Sequence, residues 1–199
     1  MGIRVIYVTG RSSIEAFALA VFGGTTQLSV GENGGVITTS FDNHILLANR
    51  QNCLKGYELL KRNIEVVKMK RVFNRLTEVV LERTFDLQEG AKVFVENQVN
   101  LTLSDSKYAY HINEKGVDKG SGLLKALNIL NLRTEETAAI GDSETDLPLF
   151  EICGCSVALH HADDSVKSQA KHVVNGKAGK GLVDAINLVI LNYLHTTLE

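Results

Sequence analysis

Two patterns of apolar and polar residues share this chain. At both ends, short β-branched runs alternate with stretches of helical period. Ile3-Arg4-Val5-Ile6-Tyr7-Val8 predicts a buried parallel strand, closed by Thr9-Gly10-Arg11. Ser12 and Glu15 have capping-box spacing, and Ile14, Phe17, Ala18 and Val21 continue at helical period. Gln27 to Val30 predicts a second strand, Gly31-Glu32-Asn33-Gly34-Gly35 a turn, and Val36 to Thr39 the strand leaving it.

From about residue 40 the pattern changes. His44 to Ala48 predicts a strand and Asn52 to Lys61 a helix, while Ile64 to Lys68 and Val72 to Thr77 fit either type. Glu78 to Glu82 predicts a strand. Leu87 to Asn97 predicts a helix with Leu87, Ala91, Phe94 and Val95 apolar. Val99 to Leu103 and Tyr108 to Ile112 alternate as a hairpin around Ser104-Asp105-Ser106-Lys107. This α+β stretch differs in kind from its flanks. It predicts an inserted domain over 40–112, with 1–39 and 113–199 forming one core.

The first pattern resumes at Gly116-Val117-Asp118-Lys119-Gly120. A helix follows, with Leu123, Leu124, Leu127 and Leu130 on one face. Thr137 to Ile140, Cys155 to Leu159 and His172 to Val174 predict short strands. Asp163 or Asp164 caps a helix reaching Ala170, and Gly181 to Leu194 predicts a last helix with Leu182, Ile186, Val189 and Ile190 inward. Strand and helix in alternation define an α/β fold with a doubly wound parallel sheet.

Composition narrows the functional classes. The 199 residues are 44% hydrophobic and 22% charged, as in an ordinary globular protein. A formal charge of −2 gives no reason to expect nucleic acid or a membrane surface as partner. No apolar run has the length of a membrane span, and the N-terminus lacks a signal-peptide pattern. Three cysteines cannot all pair, which favours a reducing compartment, the cytoplasm.

The chemistry concentrates in Ala138-Ala139-Ile140-Gly141-Asp142-Ser143-Glu144-Thr145-Asp146. An apolar strand end, a glycine turn and two carboxylates four residues apart suit a hard divalent cation at the carboxyl end of a parallel strand. A solvated acidic turn with a helix cap reads equally well from these nine residues alone. Cys153-Gly154-Cys155 followed by His160-His161 lacks zinc spacing. His111 reads by default as a satisfied structural histidine near a domain junction, otherwise as a residue approaching a substrate. Arg50, Lys68, Lys70, Arg71 and Arg75 give the insert positive charge, by default a solvated face, otherwise an attractor of anions.

Taken in order, Thr9-Gly10-Arg11, Lys119 and Gly141-Asp142-Ser143-Glu144-Thr145-Asp146 resemble the haloacid-dehalogenase-like phosphatases. The insert resembles the cap domain of their Cof-type branch. Glu32-Asn33-Gly34-Gly35, His111-Ile112 and Gly116-Val117-Asp118-Lys119-Gly120 are similar to archaeal phosphoglycolate phosphatases and sucrose-phosphatase-like relatives. The resemblance implies a Mg²⁺-dependent phosphomonoester hydrolase acting on a small phosphorylated metabolite. It assigns the Thr9 hydroxyl and Gly10 to the phosphoryl group and Lys119 to charge neutralisation. Asp142 and Asp146 it assigns to Mg²⁺.

The resemblance also sets an expectation about what is missing. The family's nucleophile is the first aspartate of an Asp-x-Asp motif, on a central strand ahead of the Thr9 motif. No Asp-x-Asp occurs in the 199 residues; Asp42 follows no buried strand and Asp105 lies in the predicted hairpin turn. The chain is therefore expected to lack the first, central strand of the sheet and to turn over little or nothing alone. Two alternatives stand beside the enzyme: a non-catalytic phosphate- and Mg²⁺-binding protein, and an oligomerisation module recruiting another copy through an exposed sheet edge.

Overall fold

The computed structural model describes residues 2–177 and 179–191. Ten strands and seven α-helices are assigned among them, in two compact units, Met1–Ala126 and Leu127–Glu199. The fold is mixed α/β with parallel strand pairs in both units.

The first unit opens with β1 (Tyr7–Val8), α1 (Ser13–Phe22) and β2 (Ser29–Gly31). β1 and β2 pair parallel, as the crossover through α1 requires. A single 3₁₀ turn at Glu32–Gly34 reverses the chain into β3 (Val36–Ser40), which pairs antiparallel with β2 and with β4 (Asn43–Leu46). The order is β1-β2-β3-β4, so β4 belongs to this sheet. β1 is an edge strand and shorter than its apolar run. Ile3 is 61% exposed and Val5 47%, which corrects the expectation of a buried strand from residue 3. Among the described residues only the flank facing β2 has a partner strand, so no second ladder draws the upstream residues in.

The capping box on α1 is present. Glu15 N–H donates to Ser12 Oγ at 3.2 Å, and Ser12 N–H to Glu15 Oε2 at 3.1 Å. The buried face is Ser13, Ala16, Phe17 and Ala20, turned from the stripe expected through Ile14 and Ala18.

A second sheet follows, with order β5-β7-β6. It comprises β5 (Val79–Leu81), β6 (Leu101–Asp105) and β7 (Tyr110–Glu114), all antiparallel. α2 (Arg50–Asn63) and α3 (Leu87–Glu96) pack on it. Cys53, Leu60, Val79, Leu81, Val93, Phe94 and Ile112 form the core between them. The β6–β7 turn runs from Ser106 to Ala109, two residues beyond its expected place. Lys107 there takes the left-handed conformation.

α4 (Lys119–Leu130) carries the chain across the unit boundary. It buries Leu123, Ala126 and Leu127 and exposes Leu124, which was expected on the buried face.

The second unit has three parallel strands in order β10-β9-β8. They are β8 (Ala138–Gly141), β9 (Cys155–Ala158) and β10 (His172–Val173). The helices α5 (Leu147–Ile152), α6 (Asp164–Lys167) and α7 (Gly179–Val189) connect or follow them. α6 stops well short of Ala170. α7 turns Gly181 and Ala185 inward and leaves Leu182 and Ile186 exposed, against expectation for these two, while Val189 faces the core as expected; Gly181 closes on Gly176 O of the preceding loop. Leu188 and Val189 pack on that core. The expected end of this helix, 192–194, lies outside the described residues. No helix among the described residues is long and apolar enough to cross a membrane.

Candidate active site

In the first unit, the chain after β1 is clamped to the turn after β2. Thr9 N–H donates to Val30 O at 2.9 Å, and Asn33 N–H donates to Thr9 O at 3.1 Å. Thr9 Oγ1 accepts from Arg11 N–H at 3.2 Å, so its own proton remains available to a ligand. Gly10 meets Asn33: a Cβ at residue 10 would stand 2.9 Å from Asn33 Oδ1.

The same turn positions Lys119. Gly34 has φ +103°, and a Cβ there would lie 1.8 Å from Asp118 O. Only glycine permits both the conformation and the approach. The start of α4 therefore rests directly on the turn that holds Thr9. Lys119, its first residue, is 7% exposed. A buried ammonium at a helix N-terminus runs against both desolvation and the helix dipole, so its placement favours an anion nearby. Thr9, Gly10 and Lys119 thus share one neighbourhood through Asn33 and Gly34.

A buried polar network underlies this neighbourhood, and sequence reasoning missed most of it. Glu32 is fully buried, and its Oε2 accepts from the amides of Leu76 and Thr77 at 2.9 and 2.8 Å. The Thr77 hydroxyl donates to the same oxygen at 2.9 Å. Arg75 Nη1 donates to Gly10 O at 2.7 Å and pairs with Glu78 Oε1 at 3.0 Å. Glu78 Oε2 accepts from Asn33 Nδ2 at 3.1 Å and lies 2.9 Å from His111 Nδ1. His111 Nε2 is 3.0 Å from Ser106 Oγ. His111 is thus a satisfied histidine, as expected, but satisfied by a carboxylate and a hydroxyl. Arg75–Glu78 and His111–Ser106 are local pairs, but the others lie 33 to 65 residues apart, and no local pattern announces them except the uncommon Glu-Asn-Gly-Gly turn itself.

Burial raises the Glu15 carboxyl, but hydrogen bonds from Ser12 outweigh it and hold the group below the ordinary carboxylate range. A cavity of about 440 Å³ opens beside Thr9, Gly10 and Glu15, between them and the 71–75 and 106–111 segments. A second hollow of about 540 Å³ lies beside α3 and β6, but its lining includes none of the residues of the Thr9–Lys119 assembly, so the cavity beside Thr9 is the better site.

In the second unit, Asp142 and Asp146 flank the turn after β8. Asp146 Oδ2 accepts from the Asp142 and Ser143 amides, both at 3.0 Å, which folds its carboxylate back against Gly141. The Asp142 side chain is 47% exposed, and its Oδ2 lies 2.7 Å from His161 Nε2. The parallel register, Gly141 opposite Ala158, sends the residues after both strands out at one edge; this is why His161 meets Asp142. Cys153 and Cys155 are buried, with burial pushing the Cys153 thiol up, and His161 is engaged with a carboxylate instead. Two carboxylates suit Mg²⁺, which takes few protein oxygens and keeps several waters. No group of three or more His, Cys, Asp or Glu forms a metal cluster among the described residues.

Comparison with known proteins places this chemistry in a family. A family model of haloacid dehalogenase-like hydrolases matches residues 51–186, and the chain belongs to that family. It is 51% identical over 187 residues to the phosphoglycolate phosphatase of Nitrosopumilus maritimus, covering 94% of this chain and 81% of the relative. A Thermoplasma acidophilum crystal structure, 0175, superposes with a TM-score of 0.77 at 21% identity, over 97% of this chain and 84% of that one. The subclass IIB sugar phosphatase BT4131 superposes with a TM-score of 0.74 at 14% identity, over 96% and 86%. The fold is the one these two structures share.

Proposed function

We propose that this chain is the phosphatase its relatives suggest: a Mg²⁺-dependent phosphomonoester hydrolase of the phosphoglycolate phosphatase type. The observation that carries the reading is the Thr9–Asn33–Gly34–Lys119 assembly, a hydroxyl and a buried ammonium fixed through one glycine turn. Phosphoryl transfer needs positioning and charge neutralisation more than covalent help, and these residues supply both. The Thr9 hydroxyl donates to a phosphoryl oxygen, the Gly10 backbone borders the group, and Lys119 offsets its charge. Asp142 holds Mg²⁺, and Asp146 holds it directly or through a water. Bound Mg²⁺ would supply positive charge of the kind phosphoryl transfer uses.

In this reading 1–39 with 113–199 form the core and 40–112 the cap, whose first strand, β4, pairs with β3 in the sheet of β1, and the substrate is a small phosphorylated metabolite. Three buried free cysteines support a reducing, cytoplasmic setting. Because the 199 residues contain no Asp-x-Asp, the chain alone is expected to release phosphate slowly or not at all. That same observation favours the second reading, a protein that binds phosphate and Mg²⁺ without turnover. The open edge of β1 suits a homo-oligomer.

The test is calorimetric binding of inorganic phosphate with Mg²⁺ or EDTA. The reading expects Mg²⁺-dependent phosphate binding, lost in Lys119→Ala and losing its Mg²⁺ dependence in Asp142→Ala. Binding indifferent to all three changes overturns the assignment.

A further inference from the structure

The cavity beside Thr9 has an unbalanced rim. Arg11 pairs with Glu15 at 3.6 Å, and Arg75 with Glu78 at 3.0 Å. His111 faces Glu78 as well. Arg71 also lines the cavity, is exposed, and has no carboxylate partner among the described residues. Beside it, Lys70 stands 4.2 Å over the ring of Tyr108, another lining residue. The carboxylates of this region are spoken for, and the rim keeps positive charge to spare.

The position of Arg71 is held from both sides. Upstream, Lys70 N–H donates to Val80 O and Glu82 N–H to Lys68 O, both at 2.9 Å, with Met69 bridged to Leu81. Downstream, Glu32 gathers the amides of Leu76 and Thr77, and Arg75 is tied to Gly10 O. The segment is a loop fixed upstream to β5 and downstream to the chain around Thr9. Around Gly10 the polar network is also incomplete: Asn33 Oδ1 and Arg75 Nε are buried without hydrogen-bond partners. Four buried charged or polar side chains, Glu32, Asn33, Arg75 and Glu78, are used to hold this loop over the cavity. A merely solvated loop would not require them.

We propose that Arg71 reads a carboxylate on the alcohol side of the substrate. This rests on the phosphatase reading, which puts the phosphoryl group at Thr9 and Gly10. The Arg71 guanidinium then faces the remainder of the ester. Its planar fork matches a carboxylate with two parallel hydrogen bonds. One unpaired guanidinium balances one negative charge, which favours a carboxylate over a second, doubly charged phosphate. The Ser106 hydroxyl, held by His111, supplies a further polar wall.

The test compares ligands that differ only at that end. Phosphoglycolate, ethyl phosphate and ethanediol bisphosphate are titrated calorimetrically into the 199-residue chain at low salt. The expected preference for phosphoglycolate over ethyl phosphate is about tenfold, the worth of one charge-assisted pair. Arg71→Met is expected to bring it below about twofold with ethyl phosphate unchanged, and Arg71→Lys to keep part of it. A preference that survives Arg71→Met overturns the assignment. So does tighter binding of the bisphosphate, or an equal fall for both esters. Ethyl phosphate binding without any preference removes only this proposal, whereas binding of no phosphate ester removes the phosphatase reading with it.

Discussion

Glu32 is the point at which the structure makes its strongest energetic claim. It is fully buried, has φ +54°, and satisfies the amides of Leu76 and Thr77 and the Thr77 hydroxyl. In Glu32→Ala these three donors lose their acceptor. Each buried donor left unpaired costs about 1–3 kcal/mol, so the low end gives a loss of about 3 kcal/mol. With a urea slope of about 2 kcal/mol per molar, the unfolding midpoint falls by roughly 1.5 M. Glu32→Gln keeps one oxygen where Oε2 stands and should cost about half as much, because hydrogen bonds to a neutral acceptor are weaker. Glu32→Gly removes the carboxylate but also the left-handed strain, so it should lie about 1 kcal/mol above the alanine variant. The assay is urea unfolding by circular dichroism, paired with limited trypsin digestion at Lys70, Arg71 and Arg75. The reasoning requires faster cleavage at these sites in Glu32→Ala. An alanine variant within about 0.5 kcal/mol of the parent chain, with unchanged cleavage, would refute it.

Three further predictions follow from particular contacts. Gly34→Ala must push a methyl group into Asp118 O at a positive φ; a loss of more than about 2 kcal/mol in chemical unfolding is expected, and an unchanged midpoint would contradict the docking of α4 on the turn. Asp146→Asn keeps an acceptor for the Asp142 and Ser143 amides, so thermal stability should hold within a few degrees while Mg²⁺ affinity by calorimetry falls about tenfold; Asp146→Ala should lose both, and equal stability of the two variants would separate Asp146 from the turn. Burial pushes the Cys53 thiol up to about 12, with Glu114 and Glu78 adding to the effect, so a disulfide reagent at pH 8 should label it only after unfolding. Because the unfolded thiol ionises near 9.0, this contribution is complete below that pH and is lost as pH rises toward 12; stability that increases across the window would contradict the sign.

What the chain reveals before folding is what it encodes locally. The Ser12–Glu15 box, the strand of Glu78 to Glu82, the acidic turn after Ile140 and the β6–β7 hairpin all rest on neighbours within a few residues, and each appears within about two residues of its expected place. Burial direction was harder to read. Leu124, Leu182 and Ile186 are apolar but exposed, while Leu123, Ala126 and Leu127 on α4 and Gly181 and Ala185 on α7 take the inward positions. Ile3 and Val5 look like core and sit at an open edge, since hydrophobicity alone does not say how many neighbours a strand will have. The site divides the same way. Thr9, Gly10, Lys119, Asp142 and Asp146 stand in ordered motifs and could be singled out. Glu32, Arg75, Glu78 and His161 act across long separations, and only the fold shows whom they meet.

The most direct measurement is phosphate release from phosphoglycolate with Mg²⁺. It should compare the 199-residue chain with the same chain extended upstream through its gene, each beside its Lys119→Ala variant. Release by the extended form, its loss in Lys119→Ala, and little or none from the 199 residues alone are expected. Release from neither form, or release indifferent to Lys119, would contradict the claim that this fold hydrolyses phosphate esters through the Thr9–Lys119 assembly.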